Sequence, residues 1–204
     1  MGLYARYIFP RLVDKSLSGP SCDHARRDLL AGVEGDVLEI GFGTGLNLPH
    51  YSNGVRSVTA VDVNPGMFAH AGNRIAAAPF PVDVREGSGE AIPVPDVSCD
   101  CVVSAWTLCS VADIDRVLME IHRVLKPGGR FVFLEHGLSD DPRVQRWQRW
   151  LTPVQKRIGG GCRLNRNFAA IVGAHPFQTL DIRNYYIDGA PRFGGYMYHG
   201  TAVK

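Results

Sequence analysis

Val37-Leu-Glu-Ile-Gly-Phe-Gly-Thr-Gly45 decides the fold: an apolar run that reads as a buried strand ends in glycines at 41, 43 and 45. Residues without side chains let the chain turn sharply and bring its backbone close to a ligand. The spacing is G-x-G-x-G, not the G-x-G-x-x-G of dinucleotide enzymes, and a helix is expected to follow it. About twenty residues on, the β-branched Ser57-Val-Thr-Ala-Val61 ends at Asp62, where a carboxylate can accept hydrogen bonds from both hydroxyls of a ribose. Glu39, just before the loop, would repel a pyrophosphate and attract a sulfonium or an ammonium group.

Outward from this loop, helices and strands alternate. Cys22 to Val33 carries Leu29, Leu30 and Val33 on a helical pattern, and Pro65 to Ala78 follows an Asn-Pro start signal. Val82–Arg85, Cys99–Ser104 and Arg130–Glu135 are further strands. Between the last two, Ile114, Val117, Leu118, Ile121 and Leu125 recur at helical spacing, and Lys126-Pro-Gly-Gly129 breaks the pattern before the strand resumes. This rhythm predicts an α/β fold with a doubly wound, mainly parallel sheet. At the end of the chain Thr179–Ile187 and Gly195–Val203 are separated by only a short turn region, which forces antiparallel pairing. At 204 residues the expectation is a single domain over 1–204, with an N-terminal helical segment (1–34) and a lid-like insertion (137–175).

A formal net charge of +2 gives no global argument for nucleic-acid binding. No apolar run reaches the length of a membrane span, and Met1–Leu17 is interrupted by Arg6, Pro10, Arg11 and Asp14, unlike a signal peptide; a cytoplasmic location is expected. Cys22, Cys99, Cys101, Cys109 and Cys162 are odd in number and lack CxxC spacing, which disfavours a disulfide framework and a structural zinc site, so no metal is expected. Cys99 and Cys101, two apart in a strand, should point to the same face. Residues 143–166 hold seven basic residues and no acid, with Trp147 and Trp150 among them. Trp147, Leu151, Val154 and Ile158 would share a helical face, with Pro153 kinking or splitting the helix. Such a segment suits a solvated basic face with its tryptophans packed inward, a lid, or peripheral contact with an anionic membrane.

Leu38-Glu-Ile-Gly-Phe-Gly-Thr-Gly45, Val61-Asp-Val-Asn-Pro65, Gly87-Ser-Gly-Glu-Ala-Ile-Pro93, Asp100-Cys-Val-Val103 and Val124-Leu-Lys-Pro-Gly-Gly-Arg-Phe131 resemble, in order, the motifs of class I S-adenosylmethionine-dependent methyltransferases. The resemblance implies a Rossmann-like seven-stranded sheet with an antiparallel C-terminal hairpin, and S-adenosyl-L-methionine as cofactor. It implies that Gly41, Gly43 and Gly45 line the cofactor's amino-acid end, with Asn47 near its carboxylate, and that Asp62 takes the ribose. Val63 and Met67 would pack against the adenine, whose polar edge would meet Ser88, Gly89 and Glu90, although the family commonly has Asp where this chain has Ser88. Ser104, Ala105 and Trp106 would lie beneath the methionine portion.

The second half narrows the likeness. Trp106-Thr-Leu-Cys-Ser-Val111, Phe133-Leu-Glu-His136, Gly161-Cys-Arg-Leu-Asn165 and Gly200-Thr-Ala-Val-Lys204 resemble the methyltransferase-like thiol S-methyltransferases of animal endoplasmic reticulum. Those relatives carry an N-terminal hydrophobic anchor, and none is expected here. A small thiol is therefore the expected acceptor, with phospholipid amines and quinone-like molecules as alternatives, and a non-catalytic cofactor-binding module as the reading from another class. His136, at a strand end, is the candidate for accepting or orienting an acceptor proton, and Cys109 could line the same pocket.

Overall fold

The computed structural model describes residues 3–204. A π-helical stretch, Tyr4–Ile8, runs into α1 (Phe9–Leu17) and then α2 (Pro20–Leu30). There follow β1 (Gly35–Ile40), β2 (Val55–Asp62), α3 (Pro65–Ala76), β3 (Val82–Glu86), β4 (Cys99–Ala105) and α4 (Ile114–Val124). The chain closes with β5 (Leu125–His136), α5 (Pro142–Ile158), α6 (Phe168–Gly173), β6 (Thr179–Tyr186) and β7 (Tyr196–Val203).

The seven strands form one sheet in the order β3-β2-β1-β4-β5-β7-β6. The first five in that order pair in parallel, while β7 runs antiparallel to both β5 and β6. The order reverses between β1 and β4, and ligands bind at the carboxyl ends of strands beside such a switch point. Parallel pairing therefore brings four distant points to one edge: Ile40, Asp62, Ala105 and His136 all end strands there.

Period-two alternation divides the core between the sheet's faces. Leu38, Ile40, Val102, Phe131 and Phe133 pack with Val117, Leu118 and Ile121 of α4 and Phe168 of α6. Val37, Val58, Cys101, Val103 and Val132 pack with Ala25, Leu29 and Leu30 of α2. Glu39 alternates with Leu38 and Ile40, and so faces the α2 side.

Several expectations are corrected. No α-helix follows the glycine loop; the chain makes one 3₁₀ turn, Leu48–His50, with Pro49 inside it. Cys99 and Cys101 lie in opposite cores, because the register against β5 shifts between them. The intervening Asp100 accepts from the Asp36 N–H at 2.8 Å and from Lys126 Nζ at 2.8 Å. Lys126-Pro-Gly-Gly129 is absorbed as an irregularity within β5 rather than preceding it.

Pro153 neither ends nor divides α5, which continues to Ile158; at the residue before it, Thr152 Oγ1 bonds the Gln148 carbonyl at 2.6 Å. The tryptophans do not pack inward either: Trp147 is 60% and Trp150 69% exposed, and Val154 and Ile158 are exposed with them. The buried face carries Val144 and Gln148 instead. The Gln148 amide donates to the carbonyls of Gly137 and Phe193 and accepts from the Ser139 N–H, so a polar anchor sets the helix rotation. Among the described residues no helix is long and apolar enough to cross a membrane.

Candidate active site

A cavity of about 780 Å³ opens at the strand-end edge. Its wall includes Glu39, Gly41, Gly43, Asn47, Asp62, Val63, Met67, Ser88, Gly89, Glu90, Ala105, Trp106, Cys109 and His136, so residues spread over about a hundred positions meet at one cavity. Gly45 and Ser104 stand behind the wall. Gly45 packs against Phe42, Leu48 and Ala71, and Ser104 is fully buried with its hydroxyl bonded to Glu135 at 3.0 Å.

Two glycines have steric reasons to be glycine. Gly41 has φ +69°, and a Cβ there would overlap the Thr107 side chain. Gly43 has φ +58° and donates its N–H to Asp62 Oδ2 at 2.9 Å. Asp62 Oδ1 accepts the Asn64 N–H at 2.8 Å. With the Val63 N–H as a third backbone donor, the carboxylate still has acceptor capacity for an incoming hydroxyl. Burial pushes the Asp62 carboxyl upward, against these backbone bonds.

Glu39 is buried and held by two donors: Asn47 Nδ2 at 2.9 Å and the Tyr51 hydroxyl at 2.7 Å. Desolvation raises it from its ordinary 4.5 to about 7, despite those bonds and the nearby Arg26 charge. Asn47 in turn accepts from Arg26 Nε at 3.1 Å. Arg26 is only 2% exposed, lines the cavity and lies over the Trp106 ring at 4.8 Å. A lone arginine on a polar helix stretch carries no motif, so sequence reasoning missed it.

Glu135, although inside the Phe133-Leu-Glu-His136 stretch, was given no role. It is fully buried behind the wall, and its carboxylate accepts from Ser104 Oγ and from the N–H groups of Thr107, Leu108 and Cys109 at 2.9–3.2 Å. It thereby fixes the turn in which Trp106 adopts φ +52°, a strained conformation for a bulky residue.

The N-terminal segment closes one side. Asp14 of α1 accepts from Thr44 Oγ1 at 2.6 Å and from Arg74 at 2.8 Å, clasping α1 over the glycine loop. Tyr4 and Phe9 line the cavity, whereas Tyr7 is exposed and off it. Gln155, Ile158, Gly159, Gly160 and Cys162 form the opposing wall. Phe9 lies against Gly160, where an added Cβ would meet its ring at 2.6 Å.

His136 lies at this second end, with Nε2 2.9 Å from Cys162 Sγ. Burial opposes charge on His136, but the contacts with Cys162 and Glu135 outweigh it and raise its pKa. The bond to Cys109, and then burial, drive the Cys162 thiol far above its ordinary value, so near neutral pH Cys162 is a thiol. Cys109, His136 and Cys162 thus gather where cysteine spacing gave no hint of a cluster. The other site departure is Ser88, whose hydroxyl accepts from the Glu90 N–H at 3.1 Å within its own turn, while Glu90 caps the N–H groups of Ala112 and Asp113.

The methyltransferase domain family matches residues 38–133. Human thiol S-methyltransferase TMT1B is 38% identical over 178 residues, covering 80% of this chain and 70% of its own length. The chain belongs to the S-adenosylmethionine-dependent methyltransferases. Rat thiol S-methyltransferase TMT1B is 41% identical over 147 residues, 67% of this chain, and the match spans only 58% of that relative's length. A phosphatidylethanolamine N-methyltransferase of Cereibacter sphaeroides is 32% identical over 69% of this chain and 71% of its own. In fold, the chain is similar to a methyltransferase of Thermotoga maritima described as a possible histamine N-methyltransferase, with TM-score 0.70 at 20% identity over 98% and 99% of the two chains.

The wall fits S-adenosylmethionine by the chemistry of its donors. An α-ammonium group would find Glu39, an α-carboxylate would find Arg26, a ribose diol would find Asp62, and an adenine would find the apolar Val63 and Met67.

Proposed function

We propose that this protein transfers a methyl group to the sulfur of a small apolar thiol. One observation carries the reading: beyond the charged residues, the cavity wall includes Phe9, Val111 and Ile158, and its titratable groups there are His136, two thiols and the Tyr4 phenol, which bonds the Ile158 carbonyl. The carboxylates on the wall, Glu39, Asp62 and Glu90, belong to β1, β2 and the loop after β3; none comes from β5 or the segment following it. A thiol needs little activation, being already a few per cent thiolate near neutral pH, whereas an alcohol requires a dedicated base.

When bound, the cofactor would supply a sulfonium methyl; the acceptor thiol, its proton given up to solvent, would bond through sulfur to that carbon as the sulfonium carbon–sulfur bond breaks, leaving S-adenosylhomocysteine. The chain's own residues align and desolvate. Glu39, Arg26 and Asp62 fix one partner. Glu135 holds the Trp106 turn between the two ends, and His136 orients the acceptor sulfur. Residues 137–175 act as a lid through the 155–162 wall, and the whole chain works as one methyltransferase domain.

The same reading includes peripheral contact with an anionic membrane. Exposed Trp147, Trp150, Val154 and Ile158 stand on a helix rich in arginine, and Tyr4, Leu12 and Ile158 are both exposed and part of the cavity wall. An apolar acceptor could pass from lipid to the site along that rim.

The deciding experiment is a panel of alkyl thiols, sulfide, phosphatidylethanolamine and quinols, read by S-adenosylhomocysteine release. Turnover confined to thiols is expected. Turnover of lipid or quinol alone would overturn the thiol reading, and no turnover with intact cofactor binding would leave a binding module.

A further inference from the structure

The geometry points to a zinc site formed by Cys109, His136 and Cys162, open to the cavity, that takes an acceptor thiol as its fourth ligand. Their donor atoms all lie within 4.8 Å of one another. Around a tetrahedral zinc ion with bonds of about 2.3 Å to sulfur and 2.0–2.1 Å to nitrogen, donors stand about 3.6–3.8 Å apart. The trio is already close to that arrangement: the His136 Nε2 to Cys162 Sγ separation, 2.9 Å, needs to open by under ~1 Å.

The backbone beneath each ligand is fixed. The Cys109 N–H donates to Glu135, the residue before His136, at 3.2 Å, and the Cys109 carbonyl accepts the N–H of Arg163, the residue after Cys162, at 2.9 Å. Three chain segments are thereby stitched side by side, and Arg166 tightens the stitch by bonding the carbonyls of Leu108 and Val111. Support of this kind keeps a metal's ligands oriented.

Donor chemistry selects the ion. Two thiolates and an imidazole suit zinc and do not suit magnesium or calcium, which prefer oxygen. Three protein ligands with a fourth position facing a cavity is the pattern of a reactive zinc centre, not of a closed structural one. All three residues line the cavity wall. A thiol entering the fourth position would bond through sulfur and release its proton to solvent, giving a zinc-held thiolate oriented for attack on the methyl group. This occupant rests on the thiol reading above; the metal site itself does not.

The test uses the full chain freed of metal by dialysis. Zinc titration against a chromophoric chelator should give one equivalent bound, with affinity reduced at least ~100-fold in Cys109→Ser and in Cys162→Ser and unchanged in Cys22→Ser. S-adenosylmethionine affinity retained in both site variants shows that the fold is intact. Stoichiometry well below one, or equal affinity in wild type and Cys162→Ser, would overturn the site. Cobalt(II) loading gives a second readout, because a thiolate-to-cobalt absorption band should appear in wild type and shift when an alkyl thiol is added. A band that ignores the thiol would overturn the fourth-ligand assignment. A zinc-loaded protein that turns over no thiol in the acceptor panel would sink the proposed function while the metal site stands.

Discussion

The Gly43 N–H donates to Asp62 Oδ2 across 2.9 Å, so the loop after β1 and the end of β2 are locked together before any ligand arrives. Asp62 therefore shapes the glycine loop as well as presenting lone pairs to a ribose. Asp62→Ala should weaken S-adenosylmethionine binding by roughly 10–150-fold, the worth of one hydrogen-bonded charge. Isothermal titration checks this; equal affinity in the variant would remove Asp62 from the site.

Glu39 makes both stability and binding depend on pH. Its folded pKa, raised to about 7 from 4.5 mainly by desolvation, means that the folded protein holds a proton the unfolded chain releases between these values. Its contribution to stability is fully present below pH 4.5 and is lost as pH rises to about 7, a change of about 3 kcal/mol. Glu39→Gln should flatten that loss in urea melts of the ligand-free protein.

Cofactor affinity should run the other way. An ionised Glu39 attracts the ammonium and sulfonium charges, so titrations at pH 6 and pH 8 should show tighter binding at the higher pH in wild type and little difference in Glu39→Gln. A flat wild-type profile would show that Glu39 does not meet the charged end of the cofactor.

Glu135→Ala should leave the N–H groups of Thr107, Leu108 and Cys109 without their buried acceptor. The expected cost is about 3 kcal/mol or more, read as a lower urea midpoint at constant slope. The Trp106 turn would loosen with it, so methyl transfer should fall even where the variant remains folded.

Anionic vesicles should sediment the protein at low salt and release it as salt rises. Trp147→Ala with Trp150→Ala should reduce binding without altering stability, since both rings are exposed. Equal sedimentation with neutral vesicles at all salt concentrations would count against the basic helix.

The strand ends proved legible because their signals are local. Glu39 was placed by the glycine loop it precedes and Asp62 by the β-branched run it ends, and the glycines marked the turn between their strands. The chain after Gly45 was misjudged because Pro49 and a short turn replaced the helix that usually follows such a loop. The orientation of α5 was misjudged because periodicity weighs apolar residues, and one Gln148 amide serving three backbone groups outweighed two tryptophans.

The sequence by itself determined the order of elements and the antiparallel end, since each follows from spacing within a dozen positions. Only the tertiary structure decided that Arg26 should lie over Trp106, that Glu135 should hold the turn above it, and that Cys109, His136 and Cys162 should converge. These meetings depend on which strands become neighbours and in what register, and no local pattern encodes a contact made across the sheet.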